Sequence, residues 1–181
     1  MLNGVSVYLI GMMGAGKTTV GQLLADKLGY HFFDTDEVIV KVTGKSINQI
    51  FAEEGEGVFR EIETQILAEL SAYKKLTVAT GGGIILRQMN WSYLQHGIVV
   101  WLDVPVGQLY DRLRYDTTRP LLLKDKDKNP LAKLEAILAE RETFYAEADV
   151  RIRVAPGETP EEIVALVLNE IEKSLRPSPT N

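Results

Sequence analysis

The stretch GMMGAGKTTV, Gly11 to Val20, follows the apolar run VSVYLI and fits the pattern G-x-x-x-x-G-K-[ST]. Glycines at that spacing let successive backbone N–H groups turn inward around phosphate oxygens, and a helix starting behind them adds the positive end of its dipole. Gly14, Ala15, Gly16, Lys17, Thr18 and Thr19 are therefore the expected cradle for a nucleotide's phosphates. Lys17 offers a point charge to the β- and γ-phosphates, and the Thr18 hydroxyl suits the coordination shell of Mg²⁺. In FFDTD, Asp34 and Asp36 stand two apart where a strand ends. An extended backbone would turn both carboxylates to one side. One could then support Mg²⁺ through water while the other accepts a hydrogen bond from an attacking hydroxyl. Gly81, Gly82 and Gly83, behind LTVAT, let the backbone approach a ligand closely and present N–H donors. The plainer readings are a solvated glycine turn, a helix cap at Asp36 or Thr35, and a flexible linker. Strand, spacing, Lys-Thr and helix agree at the first stretch, and that context favours the functional reading of the other two.

The elements that must hold these residues alternate. Val5 to Ile10 reads as a strand, and Val20, Leu23, Leu24 and Leu28 mark a helix behind the glycine loop. HFFDTD reads as a second strand, followed by a helix that Gly44 closes. Ser46 and Gln49 form a capping box, and Phe59, Ile62, Ile66 and Leu70 give the next helix a buried stripe. LTVAT is a third strand. IVVWL, Ile98 to Leu102, is too uniformly apolar for a strand with one wet face, so it is expected to be covered on both sides. Pro105 starts a helix, Asp103 is read as part of that start, and Leu131 to Ala146 is helical. VRIRV offers a last strand with Arg151 and Arg153 outward. Thr159, Pro160 and Glu162 then open a final helix. Strands alternating with helices predict a parallel sheet covered on both faces, with ligands beyond the carboxyl ends of the strands, where Gly11, Asp34 and Gly81 fall.

The chain has 181 residues, 45% of them hydrophobic, enough for one sizeable core. We expect a single P-loop kinase domain over 1–175, a mobile lid at about 116–130 that includes KDKDKN, and a disordered tail at 176–181. A net charge of -5 without a Lys/Arg block argues against nucleic acid and anionic membrane as partners, so an anionic ligand must be met locally. There is no cysteine, hence no disulfide or thiolate metal site. No apolar run approaches the roughly 20 residues that span a bilayer, and a cytoplasmic location and a monomer are expected.

A phosphate loop alone names a ligand and leaves the reaction open. The chain also carries, in order, GMMGAGKTT, FFDTDEVI, SINQIFAEEGEGVFREIE, TGGG, TRPLL and RETFY, and with these it resembles the shikimate kinases. The resemblance implies an α/β P-loop NTPase fold like that of the nucleoside monophosphate kinases, a three-layer α/β/α arrangement with a five-stranded parallel sheet and a mobile lid. It implies transfer of the γ-phosphoryl of ATP, with Mg²⁺, to the 3-hydroxyl of shikimate, on the route to chorismate and aromatic amino acids. By the same resemblance Asp36 would bind shikimate hydroxyls and accept the proton, with Asp34 nearer the metal. Arg60 and Arg141 would hold the shikimate carboxylate, Gly82 would add a backbone contact, Arg119 would close over the ATP phosphates, and Arg112 would flank the adenine. Read without the resemblance, Arg60 and Arg141 are helical arginines paired with nearby glutamates. In VAPGETPEE the pattern departs from those family members with a basic or amide residue near the adenine, so no nucleotide contact is assigned at Glu158. A gluconate-type small-molecule kinase and an inactive nucleotide-binding regulatory protein are the alternatives. FFDTD with the two arginines argues against the first, and retention of Lys17 and Asp36 argues against the second.

Overall fold

A computed structural model describes residues 2–114 and 129–175. Five strands form one sheet in the order β2-β3-β1-β4-β5, and every neighbouring pair runs parallel. They are β1 (Val7–Ile10), β2 (His31–Asp34), β3 (Leu76–Ala79), β4 (Ile98–Asp103) and β5 (Val150–Arg153). Leu9 of central β1 stands opposite Ala79 of β3 and Val100 of β4, so three consecutive carboxyl ends lie side by side. All of β1 and β3 and the first five residues of β4 are buried, and for β4 this is what its uninterrupted apolar run predicts for a strand with helices on both faces. On edge strand β5, Val150 and Ile152 point inward while Arg151 and Arg153 stay exposed.

The helices are α1 (Lys17–Leu28), α2 (Thr35–Thr43), α3 (Ile47–Glu53), α4 (Gly55–Ser71), α5 (Gln88–Leu94), α6 (Val106–Leu113), α7 (Pro130–Tyr145) and α8 (Pro160–Leu175), with a 3₁₀ turn at Ile84–Leu86. Both expected capping boxes are present. Gln49 N donates to Ser46 Oγ at 3.1 Å while Ser46 N donates to Gln49 Oε1 at 2.8 Å. Glu162 N donates to Thr159 Oγ1 at 3.2 Å and Thr159 N to Glu162 Oε2 at 2.8 Å. Gly44, at φ 67°, closes α2 as expected. Among the described residues no helix is long and apolar enough to cross a membrane.

Some local expectations are corrected. β2 ends at Asp34 and α2 begins at Thr35, so Asp34 and Asp36 do not share an extended segment. Asp34 itself is the cap, its Oδ1 accepting from Asp36 N at 2.9 Å. Asp103 does not open α6. Its Oδ2 accepts from Arg151 Nε at 2.9 Å and Nη2 at 2.7 Å across neighbouring strands. Asn129 caps α7 through a 3.1 Å bond from Ala132 N, and Pro130 is the first helical residue. Arg119, the rest of the expected lid (116–128) and the expected tail (176–181) lie outside the described residues.

Candidate active site

A cavity of about 390 Å³ opens at the carboxyl end of the sheet and joins most of the predicted residues. Its floor is Gly14 to Thr19, its acidic wall Asp34 and Asp36, and its third side Thr80, Gly81 and Gly82, with Arg112 and Glu158 at the far end. The floor is built by a loop that must turn sharply from β1 into α1. Gly16 sits at φ 89°, a left-handed conformation that side-chain-bearing residues rarely adopt, and no side chain caps the helix amides behind it. Those amides and the dipole end face the cavity as an anion cradle. Lys17 is only 8% exposed, with Nζ donating to the Gly11 and Met12 carbonyls at 2.7 and 2.8 Å, which pins its charge at the mouth of the loop. Arg112 Nη1 donates to the Gly14 carbonyl at 2.9 Å. Glu158 reaches the same cavity, and its carboxylate is held by the Ala155 N–H at 2.7 Å.

Thr18 Oγ1 donates its proton to Asp34 Oδ2 at 2.6 Å. That bond leaves the hydroxyl's lone pairs available, and both groups are hard oxygen ligands of the kind Mg²⁺ prefers. No cluster of three or more His, Cys, Asp or Glu residues able to hold a metal occurs among the described residues. The donor set fits an ion that keeps most of its waters and takes its remaining ligands from phosphates.

Beyond Asp36 the triple glycine is packed by charged side chains. A Cβ on Gly81 would lie 2.6 Å from Glu63 Oε1 and 3.3 Å from Asp36 Oδ1, and one on Gly82 would lie 3.4 Å from Arg141 Nη1. A Cβ on Gly83 would collide with the Arg60 guanidinium. Glu63 and Arg60 occupy the space of a side chain at Gly81 and Gly83, while at Gly82 the tightest neighbour of a Cβ would be the Met13 backbone nitrogen at 3.3 Å. Arg60 and Arg141 are 8% and 7% exposed, so neither is a surface arginine, although Arg60 does pair with glutamates of its own helix. Arg60 Nη1 lies 2.9 Å from Glu63 Oε2, and its Nη2 lies 3.3 Å from Glu56 Oε1. Arg60 Nε and Arg141 Nη1 are buried without a hydrogen-bond acceptor among the described residues. An unmet buried donor costs about 1–3 kcal/mol, more when charged, so this pair is an arrangement that an anionic ligand would stabilise.

Glu63 and Tyr145 were not singled out from the sequence. Glu63 is fully buried, and burial pushes its carboxyl above the ordinary range against the pull of Arg60. Tyr145 is equally buried, and its hydroxyl donates to the Gly82 carbonyl at 2.6 Å. The available signal was spacing: Glu63 lies three residues after Arg60 and Tyr145 four after Arg141, so each shares a helix face with an arginine of the site. Thr35 also escaped notice as a support, accepting the Gly81 N–H on its Oγ1 at 3.1 Å.

Comparison with known proteins gives this geometry a family. The model of the family described as shikimate kinase matches residues 13–172. A shikimate kinase of Nostoc sp. is 58% identical over 181 residues, covering 100% of this chain and 98% of the relative. Among solved structures, a shikimate kinase from Acinetobacter baumannii in complex with shikimate superimposes with a TM-score of 0.87 at 41% identity, covering 95% of this chain and 96% of that one. A gluconokinase from Sinorhizobium meliloti shares the fold at a TM-score of 0.59 and 16% identity, covering 96% of this chain and 94% of that one.

Proposed function

The chain belongs to the shikimate kinase family, and on that premise we propose how its own residues divide the work of phosphorylating the 3-hydroxyl of shikimate with ATP. The observation that carries the reading is one cavity with a phosphate cradle on its floor and Asp36 on its wall, backed by two buried arginines. Gly14 to Thr19 bind the ATP phosphates through backbone N–H groups, Lys17 offsets charge on the β- and γ-phosphates, and Arg112 flanks the base. Arg60 and Arg141 hold the shikimate carboxylate, for which a guanidinium offers a planar fork of donors. Gly81 to Gly83 admit the acceptor close to the backbone. Asp36 orients the 3-hydroxyl and takes its proton as the hydroxyl oxygen bonds to the γ-phosphorus and the bond to the β,γ-bridging oxygen breaks, releasing ADP. Thr18 and Asp34 would hold Mg²⁺, which when bound neutralises charge on the phosphates. Arg119 completes the proposal on family resemblance, closing over the phosphates.

A gluconate-type acceptor is the less favoured reading, because the gluconokinase likeness extends to fold alone. Against an inactive regulatory protein, Lys17, Asp36, Arg60 and Arg141 are all present at the site. A single domain over 1–175, acting as a cytoplasmic monomer, is part of the proposal. The test combines turnover with binding: with MgATP and shikimate the wild type forms ADP and a phosphorylated product. Asp36→Asn lowers kcat by at least about 10²-fold while the ATP dissociation constant stays within about threefold. Arg141→Ala chiefly raises the KM for shikimate, by about tenfold or more. Unchanged turnover in Asp36→Asn would remove the proposed proton acceptor.

A further inference from the structure

The Gly82–Gly83 peptide lies between the two buried guanidiniums of the acceptor side, with Arg141 Nη1 packed on Gly82 and the Arg60 head on Gly83. The chain on either side of it is fastened from elsewhere. Gly81 N is held by Thr35 Oγ1 at 3.1 Å, and the Ile84 and Ile85 carbonyls accept from Asn90 Nδ2 at 2.8 Å and Trp91 Nε1 at 3.1 Å. Among the described residues the Gly82 carbonyl accepts from one group, the Tyr145 hydroxyl. The amides of Gly82 and Gly83 donate to no acceptor among the described residues. The chain has no cis peptide among those residues, and in a trans peptide the C=O and the following N–H point opposite ways. Fixing the Gly82 carbonyl on Tyr145 therefore fixes the Gly83 N–H in the direction away from the phenol.

We propose that Tyr145 is a positioning residue that aims the Gly83 N–H at the carboxylate of the acceptor, making a third fixed donor between Arg60 and Arg141. The inference rests on the acceptor reading given under Proposed function. Tyr145 is suited to this because it has no freedom to swing. It is fully buried, its ring is stacked on Trp101 with centroids 5.6 Å apart, and the outer face of Trp101 is covered by Arg151 at 4.2 Å. Arg151 is in turn held by Asp103. Burial pushes the phenol upward from its ordinary value against the pull of Arg141, so the hydroxyl keeps its proton and remains a donor. Tyr145 also follows Arg141 by one helical turn of α7, so a single rigid helix sets both the guanidinium and the peptide that converge on the anion. A backbone donor held this way loses little entropy when the ligand arrives.

The test compares shikimate with the analogue in which a hydroxymethyl group replaces the carboxylate, in the wild type and in Tyr145→Phe. The wild-type preference for shikimate, as a ratio of kcat/KM values, falls about fivefold to tenfold in Tyr145→Phe, while the KM for ATP changes less than about twofold. Trp101→Phe loosens the same packing but keeps the hydroxyl, and its preference stays within about twofold of the wild type. Equal losses on both acceptors in Tyr145→Phe, or an equal loss of preference in Trp101→Phe, would reduce Tyr145 to a packing residue and overturn the proposal. A wild type that fails to turn over shikimate would instead sink the functional reading, a result distinguishable from an active wild type whose preference ignores the hydroxyl.

Discussion

Glu63 is the residue whose environment departs furthest from what its type suggests. It is fully buried, faces Arg60 on its own helix, Asp36 from α2 and Arg141 from α7, and desolvation is the largest influence on it, raising its pKa above 4.5. With the folded pKa above the unfolded one, the folded chain binds the extra proton between those two values, so this group's share of stability falls as pH rises through that window. Glu63→Gln does not ionise there. The melting temperature of the variant minus that of the wild type should therefore increase as pH rises from about 4.5, and thermal melts at several pH values check it. A difference independent of pH would mean the carboxyl is not raised. Lys17 and Thr18 were readable as cavity residues because they belong to a pattern whose spacing has a mechanism, while Asp34 and Asp36 line the same cavity although the extended-strand argument for them does not hold. Glu63 and Tyr145 were not readable, because a glutamate and a tyrosine on amphipathic helices look the same whether their face meets water or a neighbouring loop. Only packing distinguishes the two.

At the scale of elements, helix α4 shows how the site is assembled. Its buried face is apolar at Ile66, Leu67 and Leu70 and charged nearer its N-terminus at Arg60 and Glu63. The triple glycine accepts that charged end because it lacks side chains. Gly83 has φ -95°, a conformation open to any residue, so the effect of substituting it would be steric. Gly83→Ala should displace the Arg60 guanidinium and raise the KM for shikimate at least about tenfold, with ATP binding changed less than about twofold in equilibrium titrations. Unaltered acceptor kinetics would show that the guanidinium can move aside without loss. The five strands, most helices, the two capping boxes and the buried character of β4 were readable, because period, turn residues and caps act locally, whereas α5 at Gln88–Leu94 was not read. The passage from β2 to α2 was read as extended through Asp36. The Asp34 cap starts the helix two residues earlier and still brings both carboxylates to the cavity from different backbone conformations.

Across the whole molecule, the parallel order β2-β3-β1-β4-β5 gathers the ends of β1, β2 and β3 at one opening, and with them the phosphate loop, the acidic pair and the glycines. The architecture was legible as alternating strands and helices, and the five-stranded parallel sheet came with the family resemblance, whereas the strand order is known only from the structure. What periodicity could not supply was the convergence of α4 and α7, whose arginines are 81 positions apart in sequence (141 − 60) and face one peptide in space. A chain of net charge -5 meets an anionic acceptor through this local concentration of positive charge. The central claim, that phosphate passes from the loop to a hydroxyl held by the acidic wall and the arginines, is tested most directly by identifying the product. Protein with MgATP is given shikimate or gluconate, and phosphorus and proton NMR locate any transferred phosphate. The account predicts ADP and shikimate 3-phosphate in equal amounts with little turnover of gluconate. ADP formed without a phosphorylated shikimate, phosphate on another hydroxyl, or a preference for gluconate would contradict it.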